Sequence, residues 1–337
     1  MALVSNGSAP AAKEFRGTGW DNPPMHLLVP YASALAPGCE AAQRDLELPN
    51  LQRLLSRLSQ TGADEADEFV LTPPHERALA RLRALPAQHG RQPWAAVALA
   101  DAGGRPGSDG WAWVTPCHWN IAPDHIALTD PAALGLTEAE SKAVLALVEP
   151  YFTEDGIFLE YVAPTTWRAR GDVFKDMASA SLDRVNGRSL DLWMPDGPAA
   201  RPLRRLQTEF QMLLYTHAMT DERNARGLPA VNAFWISGTG VLPEGVKPMP
   251  VDLLAPQGLR EAALHDDWQA WREAWRAIDR RECAVAWKAL DDGQPVTLTL
   301  CGERSAFDFT ARKTGLTDRL RGLFGSKPRL QDWAAKL

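Results

Sequence analysis

The residues of this 337-residue chain with the greatest capacity for chemistry gather between positions 207 and 240. Gln207 and Gln211 stand four apart, so on a helix they share a face, where two amides either close a buried polar network or read a ligand. His217 follows, then Arg223 and Arg226, a pair of guanidinium groups of the kind that grips phosphate or carboxylate through paired N–H donors. Asn232, Ser237 and the run Gly238-Thr239-Gly240 add an amide, a hydroxyl and backbone N–H groups that a glycine turn can direct at an anion. The spacing therefore predicts a site for a small phosphorylated or carboxylated metabolite, built from Arg223, Arg226, Asn232, Ser237, Gly238 and Gly240 with Gln207, Gln211 and His217. The same residues admit a second reading, a helix–strand packing unit whose Arg and Gln side chains tie down a loop.

Other chemistry finds less support. The chain has no phosphate-binding P-loop, no dinucleotide-binding glycine fingerprint, no H-E-x-x-H and no G-x-S-x-G elbow. His118 and His125 lie near Cys117 and Asp124, but their spacing matches no zinc pattern, and hairpin residues with ordinary hydrogen bonds are expected there. His265-Asp266-Asp267 groups three potential ligands at the expected start of a helix, where acidic residues complement the helix dipole. Cys39, Cys117, Cys283 and Cys301 are scattered without a C-x-x-C, so they read as reduced thiols packed like small hydrophobes.

The elements that must position these groups follow from periodicity. Leu27 to Val29 predicts a strand, and Leu48, Leu51, Leu54, Leu55 and Leu58 a helix. The apolar run Trp94 to Ala100, closed by Gly103 and Gly104, predicts a buried strand, with further strands at Trp111 to Val114 and His125 to Leu128. Thr137 stands three residues before Glu140, a capping-box spacing, and opens a helix over about 138–151. A strand at Ile157 to Val162, a helix over about 199–218 and a strand at Val231 to Ser237, ended by Gly238-Thr239-Gly240, carry the candidate site. Trp268, Trp271, Trp275 and Ile278 share one helical face, expected to be core, and Val296 to Leu300 with Phe307 to Phe309 forms a hairpin. Strands and helices intermingle, which favours a mixed α/β fold.

A net charge of −6 argues against a nucleic-acid-binding body, and 45% hydrophobic residues supply a large core. No apolar run reaches the roughly 18 residues needed to span a bilayer, so a cytoplasmic protein is expected. Residues 1–24 read as a flexible leader, 25–311 as a single α/β domain, and 312–337 as a basic tail with seven Lys and Arg against two Asp. Leu316, Leu320, Leu323 and Phe324 in that tail predict a short amphipathic helix docked on the acidic body.

The stretch LRRLQTEFQMLLYTHAMTDERNARGLPAVNAFWISGTG, Leu203 to Gly240, resembles the signature region of the bacterial RpfE-type regulatory proteins, which often carry the label phosphoglycerate mutase. The resemblance extends over most of residues 25–240, through MHLLVPYASAL, LPNLQRLL, the TPCHW segment, EDGIFLEY and RVNGRSLDLWMPDG. His217 to Gly240 is similar to a motif of archaeal-type cofactor-independent phosphoglycerate mutases, and LPNLQRLLSRL to a helix of the alkaline-phosphatase superfamily. This kinship implies a three-layer α/β sandwich, in a degenerate form: the superfamily mechanism needs two divalent metals and a phosphorylated Ser or Thr. Yet Pro30-Tyr31-Ala32 occupies the place of the first metal-binding Asp, Thr220 that of a usual Asn, and no later D-x-x-x-H cluster follows. The resemblance thus implies a regulatory or metabolite-binding protein without cofactor. Its alternative is an active Mn- or Zn-dependent mutase with unconventional ligands among His118, His125, Asp252, His265 and Asp267. A third reading is an interaction protein that docks a partner through the tryptophan-bearing helix or the basic tail.

Overall fold

The first strand, β1 (Met25–Val29), is apolar apart from His26 and runs parallel to a neighbour on each side. The computed structural model describes residues 24–121, 125–197, 200–311 and 328–337. The leader, apart from Pro24, and the amphipathic helix expected near Leu316 to Phe324 lie outside them. After β1 come α1 (Pro37–Gln43) and α2 (Pro49–Arg57), each opened by a proline where a missing N–H costs nothing, then β2 (Leu58–Asp64). Two helices follow, α3 (Pro74–Leu82) and α4 (Trp94–Asp101), then β3 (Trp111–Ile121) and β4 (Ile126–Thr129). The Thr137–Glu140 capping box opens α5 (Glu138–Glu154) as its spacing predicts, ahead of β5 (Phe158–Ala163), β6 (Thr166–Arg170) and the single turn α6 (Leu182–Val185). The chain continues through α7 (Arg201–Tyr215), α8 (Ala218–Ala225), β7 (Ala233–Gly240) and β8 (Leu253–Leu254). It then forms α9 (Gly258–Leu264), α10 (Trp268–Ile278), α11 (Ala284–Asp291), β9 (Val296–Cys301), β10 (Ala306–Ala311) and a last turn of helix at Gln331–Ala334.

The fold is mixed α/β with two sheets. The first has the order β2-β10-β9-β1-β8, with β1 parallel to β9 and β8, and β10 antiparallel to β9 and β2. Its strands alternate: Leu27, Val29, Leu298, Leu300, Phe307 and Phe309 join a core with α1, α2, α9, α10 and α11, whereas Leu28, Cys301 and Ala306 pack with Ala78 of α3. Helices on both faces make this half a three-layer α/β/α sandwich. The second sheet is antiparallel, with β4, β6 and β7 all paired to the long β3 and β5 beyond β6. Its core face buries Val114, Trp167, Phe234 and Ile236 against Val144, Val148 and Phe152 of α5 and Leu203, Leu206 and Phe210 of α7. The described residues hold no helix long and apolar enough to cross a membrane. All four cysteines are free and buried.

Two local expectations are corrected. Trp94 to Ala100 is a helix and not a strand: four of its seven residues are alanine, whose helix propensity decides a short apolar run that carries no period of its own. Gly238-Thr239-Gly240 does not end β7 but bulges within it. Trp113 pairs with Ser237 and Trp111 with Gly240, so β7 holds one extra residue. The left-handed Gly238, at φ 61°, absorbs it.

The tryptophan helix packs as core. Trp271 and Trp275 are fully buried, with rings edge to face at 6.2 Å. Their indole N–H groups donate to the carbonyls of Tyr31 at 2.9 Å and Ala32 at 3.2 Å, so α10 holds the turn that leaves β1. Urea unfolding should show Trp271→Phe less stable by about 1–3 kcal/mol, since the Tyr31 carbonyl then lies buried without its donor. Trp268→Phe, at the partly buried end of the stripe, should cost less. An unchanged midpoint for Trp271→Phe would remove this role for the helix.

Candidate functional site

The carboxyl ends of the parallel strands β1 and β9 point toward the seam between the two sheets, the place where open α/β sheets hold ligands. Tyr31 follows β1 with φ 51°, a left-handed conformation that a tyrosine adopts only when its surroundings impose it. Glu303 follows β9 and is 4% exposed. Its Oε2 accepts the Leu35 N–H at 2.6 Å, its Oε1 pairs with Arg188, and its backbone carbonyl accepts Arg184 Nη1 at 2.9 Å. The hairpin at Glu303 requires Gly302, because a Cβ there would lie 2.2 Å from the Leu337 carbonyl oxygen.

Asp183, in α6, is the centre of the seam. It is 2% exposed, and Arg260 of α9 grips both carboxylate oxygens, Nε at 2.6 Å from Oδ2. His75 Nε2 lies 3.3 Å from Oδ2, and the Tyr31 hydroxyl donates to the Asp183 carbonyl at 3.5 Å. Beside them Ser181 Oγ donates to Glu76 Oε1. Burial drives Asp183 toward protonation, but hydrogen bonds and charge from His75 and Arg260 outweigh it and hold its pKa well below the carboxylate range. Glu76 goes the other way: burial, reinforced by Asp183, raises its pKa against the opposing influence of His75 and the Ser181 hydroxyl. Burial, with Asp183 and Glu303 nearby, keeps the Tyr31 phenol neutral far above its ordinary range. Two carboxyl groups pushed apart in this way around an imidazole can keep a proton on one and a charge on the other. Arg184, 1% exposed, has two guanidinium nitrogens, Nε and Nη2, without a partner.

A cleft of about 310 Å³ opens over this cluster. Glu76, Ser181, Asp183 and Arg260 line it together with Trp94, Trp113, Ser237 and Gly238. A Cβ on Gly238 would lie 2.9 Å from Trp113 Cδ1 and 3.1 Å from Trp94 Cβ, so the bulge in β7 can approach the two indoles only as glycine. The Trp94 Nε1–H is buried without an acceptor.

The residues singled out from sequence do not gather at one place. Ser237 and Gly238 line the seam cleft, and Gly240 closes the same bulge. Gln207 borders a separate, mostly apolar cavity of about 30 Å³ beside Trp119 and Trp235, with Gln211 one turn further along α7. His217 caps α8, accepting the Met219 N–H, while Asn232 pairs with both the N–H and the carbonyl of Trp119. Arg223 and Arg226 converge on Glu140, and Arg223 further donates to the carbonyls of Leu134 and Pro229. Tyr31, His75, Glu76, Ser181, Asp183, Arg184, Arg260 and Glu303 were not among the expected site residues. The one signal toward them was Tyr31 in the position of a metal-binding Asp.

The alternative reading, an active metal-dependent mutase, needs two divalent metals, and the donor atoms can be tested for a fit. Among the described residues one group, His75, Glu76 and Asp183, places its His, Cys, Asp or Glu donor atoms within 4.8 Å of one another. Three such ligands suit one cation, not an adjacent pair. None of His118, His125, Asp252, His265 and Asp267 belongs to it. His118 Nδ1 bonds the Ala230 carbonyl at 2.8 Å, His265 pairs with Asp130, and Asp267 caps α10 through the Ala270 N–H.

No protein-family model matches the chain, and no curated protein matches it. Among solved structures, the cofactor-independent phosphoglycerate mutase from Thermoplasma acidophilum is similar at 14% identity, over 90% of this chain and 95% of that one, with a TM-score of 0.36. A protein from Pyrococcus horikoshii is similar at 13% identity, over 86% and 87%, with a TM-score of 0.42. The likeness to a phosphoglycerate-mutase structure is weak and at low identity.

Glu140 gives the Arg223–Arg226 region a defined acid sensitivity. Burial alone would raise its pKa, but the Thr137 N–H and hydroxyl, the Arg226 guanidinium and the charge of Arg223 lower it from 4.5 to about 2. A carboxylate depressed on folding contributes stability that is complete above its unfolded value and is lost as pH falls toward its folded one. Denaturant titrations between pH 5 and 2, roughly the window of that shift, should show a steeper loss of stability in the native chain than in Glu140→Gln. Equal slopes would contradict the assignment.

Proposed function

We propose that this protein is a phosphoglycerate-mutase-like protein of the RpfE type that binds a small phosphorylated or carboxylated metabolite in the seam cleft, in a regulatory role and without mutase turnover. The observation that supports the reading is the polar lining of one cleft, where the Arg260 guanidinium and the Ser237 hydroxyl stand with Ser181 and Trp94. An anion meets little repulsion from Asp183, whose charge Arg260 already offsets. The cleft, near 310 Å³, matches the small end of ligand pockets, about 300–1,000 Å³. Absence of turnover is supported by Tyr31: a neutral phenol stands where the resemblance implies a metal-binding carboxylate. Arg223 and Arg226, with Glu140 between them, serve in this reading as the struts of the α5–α8 contact.

Calorimetry with 3-phosphoglycerate and with inorganic phosphate as probes tests this. The wild-type chain should bind at least one of them, and Ser237→Ala and Arg260→Lys should each weaken it by about tenfold, the scale of one lost charge-assisted hydrogen bond. Interconversion of 3- and 2-phosphoglycerate should be absent with or without Mn²⁺. Turnover would overturn the regulatory reading. Loss of binding in Arg226→Ala, with both cleft variants unaffected, would return the site to α8.

A further inference from the structure

We propose that His75, Glu76 and Asp183 form a binding site for a single divalent transition-metal cation at the floor of the seam cleft. This goes beyond the metabolite reading, stands without it, and uses none of the residues that the alternative of an active metal-dependent mutase would call on. Three observations carry it. The donor atoms of the three side chains lie within 4.8 Å of one another, close enough to share one ion. His75 is 5% exposed and its Nε2 lies 3.3 Å from Asp183 Oδ2, so a buried nitrogen donor stands directly at the carboxylates. Glu76 and Asp183 line the cleft of about 310 Å³, which leaves room on the open side for water to complete the coordination sphere.

The donor set selects the ion. One imidazole nitrogen with two carboxylates suits Mn²⁺, Fe²⁺ or Zn²⁺ better than Ca²⁺ or Mg²⁺, which prefer oxygen ligands throughout. Around it stands an outer layer of the kind that orients metal ligands: Arg260 grips Asp183, and Ser181 donates to Glu76. The local sequence makes the set rigid. His75 and Glu76 sit in the first turn of α3 after Pro73-Pro74, so the start of the helix fixes both side chains. Asp183 is held from the opposite side of the seam by α6.

Mn²⁺ titration followed by electron paramagnetic resonance, with no metabolite present, reads the site directly. The wild-type chain should remove one free Mn²⁺ per molecule and show nitrogen coupling from a single imidazole. Glu76→Gln should weaken binding by about 10–100-fold, and His75→Gln should abolish the nitrogen coupling. Glu140→Gln, far from the cluster, should bind as the wild type does. Circular dichroism of each variant confirms the fold, and Glu76→Gln, close in shape to the native side chain, keeps the test open if His75→Gln unfolds. An unchanged free Mn²⁺ signal, wild-type affinity in Glu76→Gln, or bound Mn²⁺ without nitrogen coupling would each overturn the proposal. Calorimetry with 3-phosphoglycerate in excess chelator separates it from the metabolite reading: anion binding that survives there, beside a failed Mn²⁺ titration, would remove the cation site alone.

Discussion

A carboxylate as deeply buried as Asp183 stays ionised only if its partners repay the loss of water, and here the partners come from different parts of the chain. Arg260 from α9 takes both oxygens and His75 from α3 approaches one of them. Removing one partner from such a buried ionic group costs about 3–5 kcal/mol, because a charge is left uncompensated. The two sheets are therefore held in register by a contact that tolerates little displacement. Glu303 with Arg184 and Arg188, and Asp130 with His265, add further ties across the same seam.

The apolar cores set the geometry of the seam from behind. Trp271 and Trp275 anchor the carbonyls of Tyr31 and Ala32, so the packing of α10 reaches the end of β1 through two hydrogen bonds. On the other side the bulge at Gly238 lets β7 approach Trp94 and Trp113, and α4 brings Trp94 to the cleft. The cleft is thus built on strands and helices with buried cores, an arrangement that holds donors more precisely than loops do.

Glu140 illustrates how one side chain can absorb what looks like a ligand site. It closes the capping box of α5 and at the same time receives Arg223 and Arg226. Two guanidinium groups three residues apart have the chemistry to bind an anion, and here a carboxylate of the protein itself supplies that anion. The choice between the two outcomes depends on a residue 83 positions away from Arg223.

Local rules were enough for the elements whose signals are local. The Thr137–Glu140 cap, the spacing of Trp268, Trp271 and Trp275, and the paired runs of β9 and β10 each follow from neighbours within a few residues, as does the interleaving of helices and strands. Trp94 to Asp101 escaped because a short apolar run has no period, and its surroundings decide between helix and strand. The seam cluster escaped for a stronger reason. Tyr31, His75, Asp183, Arg260 and Glu303 are each ordinary in their own stretch of sequence, and their meaning lies in contacts such as Tyr31–Asp183 and Arg260–Asp183, between residues 152 and 77 positions apart. Only the folding of two sheets against each other sets those distances, because the cost of burying a charge is met by partners in space and not by neighbours along the chain.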